Sequence, residues 1–319
     1  MKSYRLKVKE DFAGMRLDHF ISLQGVELSK RKVKEIIDAG GVYINRKRAR
    51  IASRPVNPGD VIEMQYNLEN LKRIKQRDYE ILPADLLFNQ HHVIAVNKPP
   101  GLPSQATRDQ SVVHLEAAVK KYLAFLGNPN AKVFLVHRLD KETSGVVLLA
   151  TSAEAVTFLT GQFRERTVTK EYLALCAGIP TEKKFTVECF LSDIDKRSGN
   201  VSVVRSGGKS SKTTFEVLES NKALGISLIR CLPETGRSHQ IRVHLAHKNF
   251  PIIGDKRYQP ERKSMAAELD SLAAVHHFLH AYRLTFIPVL GEKPATVQAA
   301  LPPNFLEFLK AGSFGFASG

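Results

Sequence analysis

Apolar residues recur along this chain in two rhythms. Between residues 14 and 65 a helical rhythm leads: Val33, Ile36 and Ile37 fall at helical spacing after Ser29, a side chain suited to cap a helix start. Gly40-Gly41 stops that helix, Val42-Tyr43-Ile44 begins a short strand, and Asn45-Arg46 turns it. Pro58-Gly59-Asp60 makes a second turn, into the strand VIEMQY. Residues 67–79, NLENLKRIKQRDY, are polar without an apolar stripe and read as a linker, or as a helix resting on a partner. From residue 84 short apolar runs separated by turns take over. Strands are expected in HHVIAVNKPPGL, KVFLVHRLD, GVVLLAT, KEYLALCAG, KTTFEVLES and ISLIRCLPE, and helices over 112–126, 152–165 and 238–248. Many strands, fewer helices and no regular β-α alternation predict an α+β fold on a mixed, mainly antiparallel sheet with flanking helices. The expected division is a small α/β domain at 1–66, a linker at 67–83 and a larger domain at 84–319.

Charge changes the picture. Across the 319 residues, 47 Lys+Arg against 32 Asp+Glu leave a net charge of +15, a surface that attracts polyanions. Residues 1–80 hold 18 basic and 11 acidic side chains, so the N-terminal module is itself basic. Lys30, Arg31, Lys32 and Lys34 occupy the polar face of its helix, and Arg46, Lys47, Arg48 and Arg50 follow in the turn. One cationic helix face is ordinarily just solvated. A helix and turn both almost purely cationic favour contact with an RNA backbone, with an anionic membrane surface as the alternative.

Cys176, Cys189 and Cys231 are too few and too far apart for a disulfide framework, which fits a reducing compartment. The opening stretch MKSYRLKVKEDF, with no long apolar core and with Glu10 and Asp11, is not expected to be a signal or transit peptide, and no apolar run is long enough to span a membrane. A soluble, cytoplasmic, monomeric protein is expected.

The chemistry concentrates in VHRLDKETSGVVLLA, residues 136–150, where two apolar strands pin a polar loop carrying His137, Arg138, Asp140 and Lys141. A bare R-x-D would be a charged turn; a loop held tightly on both sides is where a scaffold positions a reactive group. Three further blocks accompany it: Asn97-Lys98-Pro99 with Gly101, K-E-Y-L-A at 170–174, and E-T-G-R-S-H-Q-I-R-V-H-L-A-H at 234–247 followed by P-I-I-G-D at 251–255. These blocks resemble those of the RluA-type pseudouridine synthases. Residues 14–65 resemble the S4 RNA-binding module, through Gly14, Arg16-Leu17-Asp18, Ser29, Arg31, Ile36-Ile37, Gly41, Val42, Ile44-Asn45 and Gly59-Asp60. That module usually has a glycine where this chain has Arg46. Together the two resemblances run from residue 14 to about residue 289.

The resemblance implies an enzyme that isomerises uridine within structured RNA. The C1′–N1 bond breaks, the uracil turns, and C5 joins C1′, with no redox change and hence no cofactor or metal. Asp140 carries over as the catalytic carboxylate, attacking sugar or ring or supporting a glycal route. It must stay ionised in a largely dry pocket, which a nearby guanidinium favours; the resemblance assigns that role to Arg242 rather than Arg237. Tyr172 supplies an aromatic face for the base and a phenol that can move a proton. Arg138 either fills the space left by a flipped nucleotide or contacts a phosphate. Arg237 and His239 complete the expected RNA contacts, His239 alternatively ordering its loop.

Other features carry less. His244 with His247, and His276, His277 and His280, have metal-like spacing, but no third ligand type supports them and an isomerase needs no metal. RSGGKSS at 205–211 lacks the phosphate-loop pattern and reads as a mobile basic loop. Competing readings are a catalytically silent RNA-binding assembly factor and an RNA hydrolase or nucleosidase. The latter would want a second acid, and no second carboxylate stands out near Asp140. Large-subunit ribosomal RNA is the expected substrate by resemblance, with transfer RNA as the alternative.

Overall fold

Residues 1–78 and 79–319 form two units, each folded around its own buried apolar residues. The structure is a computed structural model that describes residues 2–26, 28–38, 41–49, 51–66, 79–107, 112–195, 197–258 and 276–315. Of the residues singled out above, Gly40, Arg50 and the stretch 67–78 lie outside the described residues, as do the side chains of Arg31, Lys47 and Arg48.

In the first unit, strands β1 (Lys2–Lys7), β2 (Val42–Ile44), β3 (Lys47–Arg48) and β4 (Val61–Tyr66) form a four-stranded sheet in the order β1-β4-β2-β3. Helices α1 (Leu17–Leu23) and α2 (Lys30–Asp38) share its core, with Leu17, Phe20, Ile21, Val33, Ile36, Ile37, Ile62 and Met64 all buried. Ser29 caps α2: its Oγ accepts the Lys32 N–H at 3.3 Å. The R-L-D triplet works locally, since the Arg16 guanidinium grips buried Asp18 through Nε at 3.1 Å and Nη2 at 2.8 Å. Asn45 Nδ2 donates to Asp60 Oδ1 at 2.7 Å, tying one turn to the other. Asn45 and Arg46 both take positive φ, 49° and 65°, as a two-residue hairpin turn requires. Arg46 therefore does what a glycine would do there, and keeps its exposed cation at the tip. Lys30 and Lys34 are exposed on α2.

The second unit is built on an eleven-stranded sheet. β5 (Leu86–Gln90), β6 (Val93–Lys98), β7 (Phe134–Leu135) and β8 (Ser144–Ala150) form one flank. β9 (Thr169–Ala177), β10 (Lys184–Leu191), β11 (Val203–Val204), β12 (Lys209–Asn221) and β13 (Ile226–Pro233) form the other. Between them lies β14 (Leu279–Phe286), edged in part by β15 (Ala295–Gln298). The order is β11-β10-β12-β13-β9-β14-β8-β6-β5. Every pairing is antiparallel except β14 with β8, so the sheet is mixed and mainly antiparallel, as expected.

β6 and β8 are buried on both faces, which explains their unbroken apolar runs. Ile94, Val96, Val147 and Leu149 pack with Leu115 and Val119 of α3 (Leu115–Phe125). Val93, Ala95, Val146 and Leu148 pack with Leu159 of α4 (Ala153–Glu165). Helix α5 (Gln240–His247) follows β13, and α6 (Pro303–Ala311) covers a further core with Phe305 and Phe308. No helix among the described residues is long and apolar enough to cross a membrane.

Two expectations need correction. KVFLVHRLD pairs as a strand only over Phe134–Leu135, because the Leu148 N–H goes to the His137 ring (3.0 Å) rather than to a strand carbonyl. RSGGKSS is no free loop: it is the turn between β11 and β12, its last three residues lie in β12, and Ser211 is buried.

The β8–β14 junction depends on Gly145. Its φ is +111°, and a Cβ there would stand 2.2 Å from the Ala281 carbonyl oxygen. Gly145→Ala should therefore destabilise the protein by roughly 3 kcal/mol, from steric overlap and a disfavoured φ together. Thermal melting measures this; an unchanged midpoint would show that the two strands can part at no cost.

Candidate active site

Asp140 opens the turn between β7 and β8, whose Thr143 N–H donates to the Asp140 carbonyl at 3.1 Å. The turn is held rigidly. The Lys141 carbonyl accepts from the Gly101 N–H at 2.9 Å and from the Lys98 ammonium at 3.1 Å. Lys98 is fully buried and gives its remaining hydrogens to the Pro99 and Leu102 carbonyls, at 3.0 and 2.9 Å. Burial pushes its pKa down to about 7. This is the role of the N-K-P block: a buried donor that fastens one loop to another. His137 is structural too. Its ring accepts the Leu148 N–H and stacks on Phe163 at 4.7 Å, and burial keeps it neutral.

A loop from β13 to α5 brings the second half of the site. Gln240 fixes it: Oε1 accepts from the Thr235 hydroxyl and the Arg237 N–H, while Nε2 donates to Lys212 O and Thr213 Oγ1. From the first turn of α5, Arg242 reaches across 102 residues of sequence to Asp140, Nη1 donating to Oδ2 at 2.8 Å. The guanidinium's other edge forms a bidentate pair with buried Asp255, Nε to Oδ2 at 2.7 Å and Nη2 to Oδ1 at 2.9 Å. The Tyr258 ring covers it, 5.0 Å from centroid to Cζ. A second carboxylate therefore does stand close to Asp140, contrary to the sequence reading. It is bound on both oxygens by Arg242, however, so it orients the guanidinium instead of serving as an acid. The sequence signal for Asp255 is an acidic residue closing the apolar P-I-I-G stretch, which burial obliges to find a cation.

The electrostatics follow. Burial raises the Asp140 pKa, but His239, Arg242 and His277 outweigh it, so the carboxyl sits below its ordinary range. His239 is itself pushed down by burial and is neutral at pH 7, which leaves Arg242 as the standing charge. His239 takes a left-handed conformation (φ 54°), with Nδ1 2.7 Å from the Tyr258 hydroxyl and Nε2 3.8 Å from Asp140 Oδ2. It thus faces the carboxylate and orders its loop. Tyr172, on β9, is held protonated by burial and by the Asp140 charge.

Asp140, Tyr172, His239 and Arg242 line one cleft with Arg138, Lys170 and Arg237. Arg138 and Arg237 are exposed at its rim, Arg237 donating through Nε to Ser210 O at 3.0 Å. Burial first, and Arg166 second, lower the Lys170 pKa to about 8. Lys30, Lys34 and Arg46 belong to the first unit. No three His, Cys, Asp or Glu side chains among the described residues converge as metal ligands. His244 is occupied instead with Ser211 Oγ at 2.9 Å.

A cationic cleft around an ionised carboxylate and the Tyr172 ring suits an anionic substrate that carries a base and a sugar. Comparison with known proteins makes that class specific. The RNA pseudouridylate synthase family matches residues 92–247, and the S4 domain matches residues 15–62. Ribosomal large subunit pseudouridine synthase C of Vibrio cholerae is 33% identical over 315 residues, covering 95% of each chain. Ribosomal large subunit pseudouridine synthase D of Haemophilus influenzae is 30% identical, over 96% of this chain and 93% of its own. The solved structure of human RNA pseudouridylate synthase domain containing 4 superposes with a TM-score of 0.60 at 25% identity, over 76% of this chain and 96% of its own. The chain belongs to the RNA pseudouridine synthase family, with an S4 domain in its N-terminal unit, and isomerises uridines in RNA.

Proposed function

We propose that Asp140 is the nucleophile of this isomerase, that Arg242 keeps it ionised and oriented, and that Tyr172 stacks on the uracil and moves a proton. The observation that carries this is the Asp140–Arg242–Asp255 arrangement. Arg242 engages Oδ2 of Asp140, which leaves Oδ1 to meet the substrate at the cleft. Attack at C1′ forms a carboxylate–C1′ ester as the C1′–N1 bond breaks; the uracil then turns, and C5 bonds to C1′ as that ester breaks and the carboxylate leaves. C5 loses its proton and N1 gains one, so atoms balance without a co-reactant. RNA carrying 5-tritiated uridine should release tritium with no change in chain length. A shortened or abasic chain would point to hydrolysis, and no release to a silent binding protein.

The substrate we assign is large-subunit ribosomal RNA, a choice supported by the names of the relatives and by the S4 domain. Residues 1–66 serve as the RNA anchor, through Lys30, Arg31, Lys34 and Arg46 to Arg48, and residues 84–319 carry the chemistry. Arg138, Arg237 and His239 complete the RNA contacts at the cleft. The protein acts as a monomer in the cytoplasm, where its free cysteines stay reduced. Pseudouridine mapping of RNA from cells lacking the protein tests the assignment; sites lost only from transfer RNA would replace it.

Tyr172→Phe separates the two tyrosine roles. The ring still stacks, so RNA affinity should hold, while loss of the phenol should slow single-turnover isomerisation by about a hundredfold. A wild-type rate would leave stacking as the tyrosine's whole contribution.

A further inference from the structure

The turn that carries Asp140 is gripped by three histidines. Consecutive residues Glu142, Thr143 and Ser144 each hydrogen-bond to one of them. Glu142 pairs with Nδ1 of His276, Thr143 Oγ1 with Nε2 of His277 at 2.9 Å, and Ser144 Oγ with Nδ1 of His280 at 2.8 Å. His280 Nε2 lies 3.2 Å from Ala299 O, which can only accept, so that nitrogen bears the proton and Ser144 donates to Nδ1. The neutral imidazole this needs is secured by burial, which pushes His280 down to about 4. His277 is also pushed to about 4, by burial first and then by the Arg242 guanidinium.

The three pairs differ in leverage on Asp140. The Glu142–His276 pair is partly exposed, so solvent weakens it. Ser144 already belongs to β8, whose ladder fixes its backbone without help. Thr143 lies between: it precedes the strand, it is buried with His277, and its N–H closes the turn onto Asp140. Lys98 and Gly101 hold the turn through the Lys141 carbonyl, which constrains one side of it only.

We propose, on the reading that Asp140 is the nucleophile, that Thr143 and His277 are positioning residues that set where its carboxylate sits in the cleft. Arg242 donates a single hydrogen bond to Asp140, which fixes a distance while leaving rotation about that bond. The angle of attack is then set by the turn, and the Thr143–His277 hydrogen bond supplies the missing constraint. This also gives the H-H-F-L-H cluster a purpose that metal binding does not.

The test compares Thr143→Val, His277→Leu, the double variant, His277→Gln and Asp140→Asn, by thermal melting, RNA affinity and single-turnover rate. Thr143→Val and His277→Leu should each slow turnover by about ten- to a hundredfold with RNA affinity unchanged, the scale expected of a reactive group displaced by under 1 Å. The double variant should be no slower than the slower single one, because both remove the same bond. His277→Gln, whose side-chain amide can either donate to or accept from the Thr143 hydroxyl in place of Nε2, should recover most of the rate. Valine is nearly isosteric with threonine, so Thr143→Val carries the test even if His277→Leu fails to fold. A folded Thr143→Val protein with a wild-type rate, or losses that multiply in the double variant, would overturn the proposal. Activity in Asp140→Asn would instead overturn the reading beneath it, whereas an inert Asp140→Asn beside a normal Thr143→Val removes positioning alone.

Discussion

Asp140→Asn should slow isomerisation by more than about a thousandfold while RNA affinity stays within about threefold of wild type. An amide has the shape of the carboxylate but is a far poorer nucleophile: its oxygen can still accept from Arg242, which leaves an NH2 that only donates at the cleft. The rest of the site survives, because Arg242 keeps its bidentate pair with Asp255. The cationic rim of Arg138 and Arg237 is untouched, so phosphate contacts and their salt dependence should not change. Tritium release and filter binding on one preparation measure both quantities. Residual turnover above a few per cent, with deamidation excluded by mass, would move the nucleophile elsewhere.

Arg242→Met should be nearly as damaging, by a different route. Two carboxylates lose their shared cation, and Asp255 is buried without it. Breaking such a pair costs roughly 3–5 kcal/mol, so the melting temperature should fall and rates must be taken well below it. In what remains folded, burial acts on Asp140 with Arg242 no longer opposing it, and its pKa rises. The sign of the pH effect follows. Wild type keeps Asp140 ionised throughout the neutral range, whereas the variant should be inert at low pH and gain activity as rising pH removes the carboxyl proton. Arg242→Lys should recover little, since one ammonium cannot reproduce a fork that serves Asp140 and Asp255 together. A pH-independent rate in folded Arg242→Met would show that Arg242 positions Asp140 without controlling its charge.

The strand rhythm and the four motif blocks were legible in the sequence because burial and period are written locally. Val93 to Val96 and Val146 to Leu149 announce strands covered on both faces, and their loops carry the polar residues of the site. What could not be read was which buried polar atoms meet. Asp255 with Arg242, Thr143 with His277 and Lys98 with the Lys141 carbonyl are pairings across 13, 134 and 43 residues. Nothing in local spacing distinguishes such partners from solvated neighbours. KVFLVHRLD failed for a related reason: a histidine ring took a hydrogen bond that the apolar pattern had reserved for a strand.

β14 has a consequence for how activity arises during synthesis. It is the strand that joins the two flanks, pairing with β9 on one side and β8 on the other. Asp140 comes from the β8 flank, while Tyr172 and Arg242 come from the flank that includes β9 and β13. Neighbouring strands can pair within each flank as they leave the ribosome, but contacts between residues this distant in sequence form late. Until residues 279–286 have been made and inserted, Asp140 and Arg242 have no shared sheet to bring them together. A nascent chain therefore exposes basic, RNA-attracting surfaces well before it can modify a base, and ribosome-bound chains stalled ahead of β14 should bind RNA yet release no tritium.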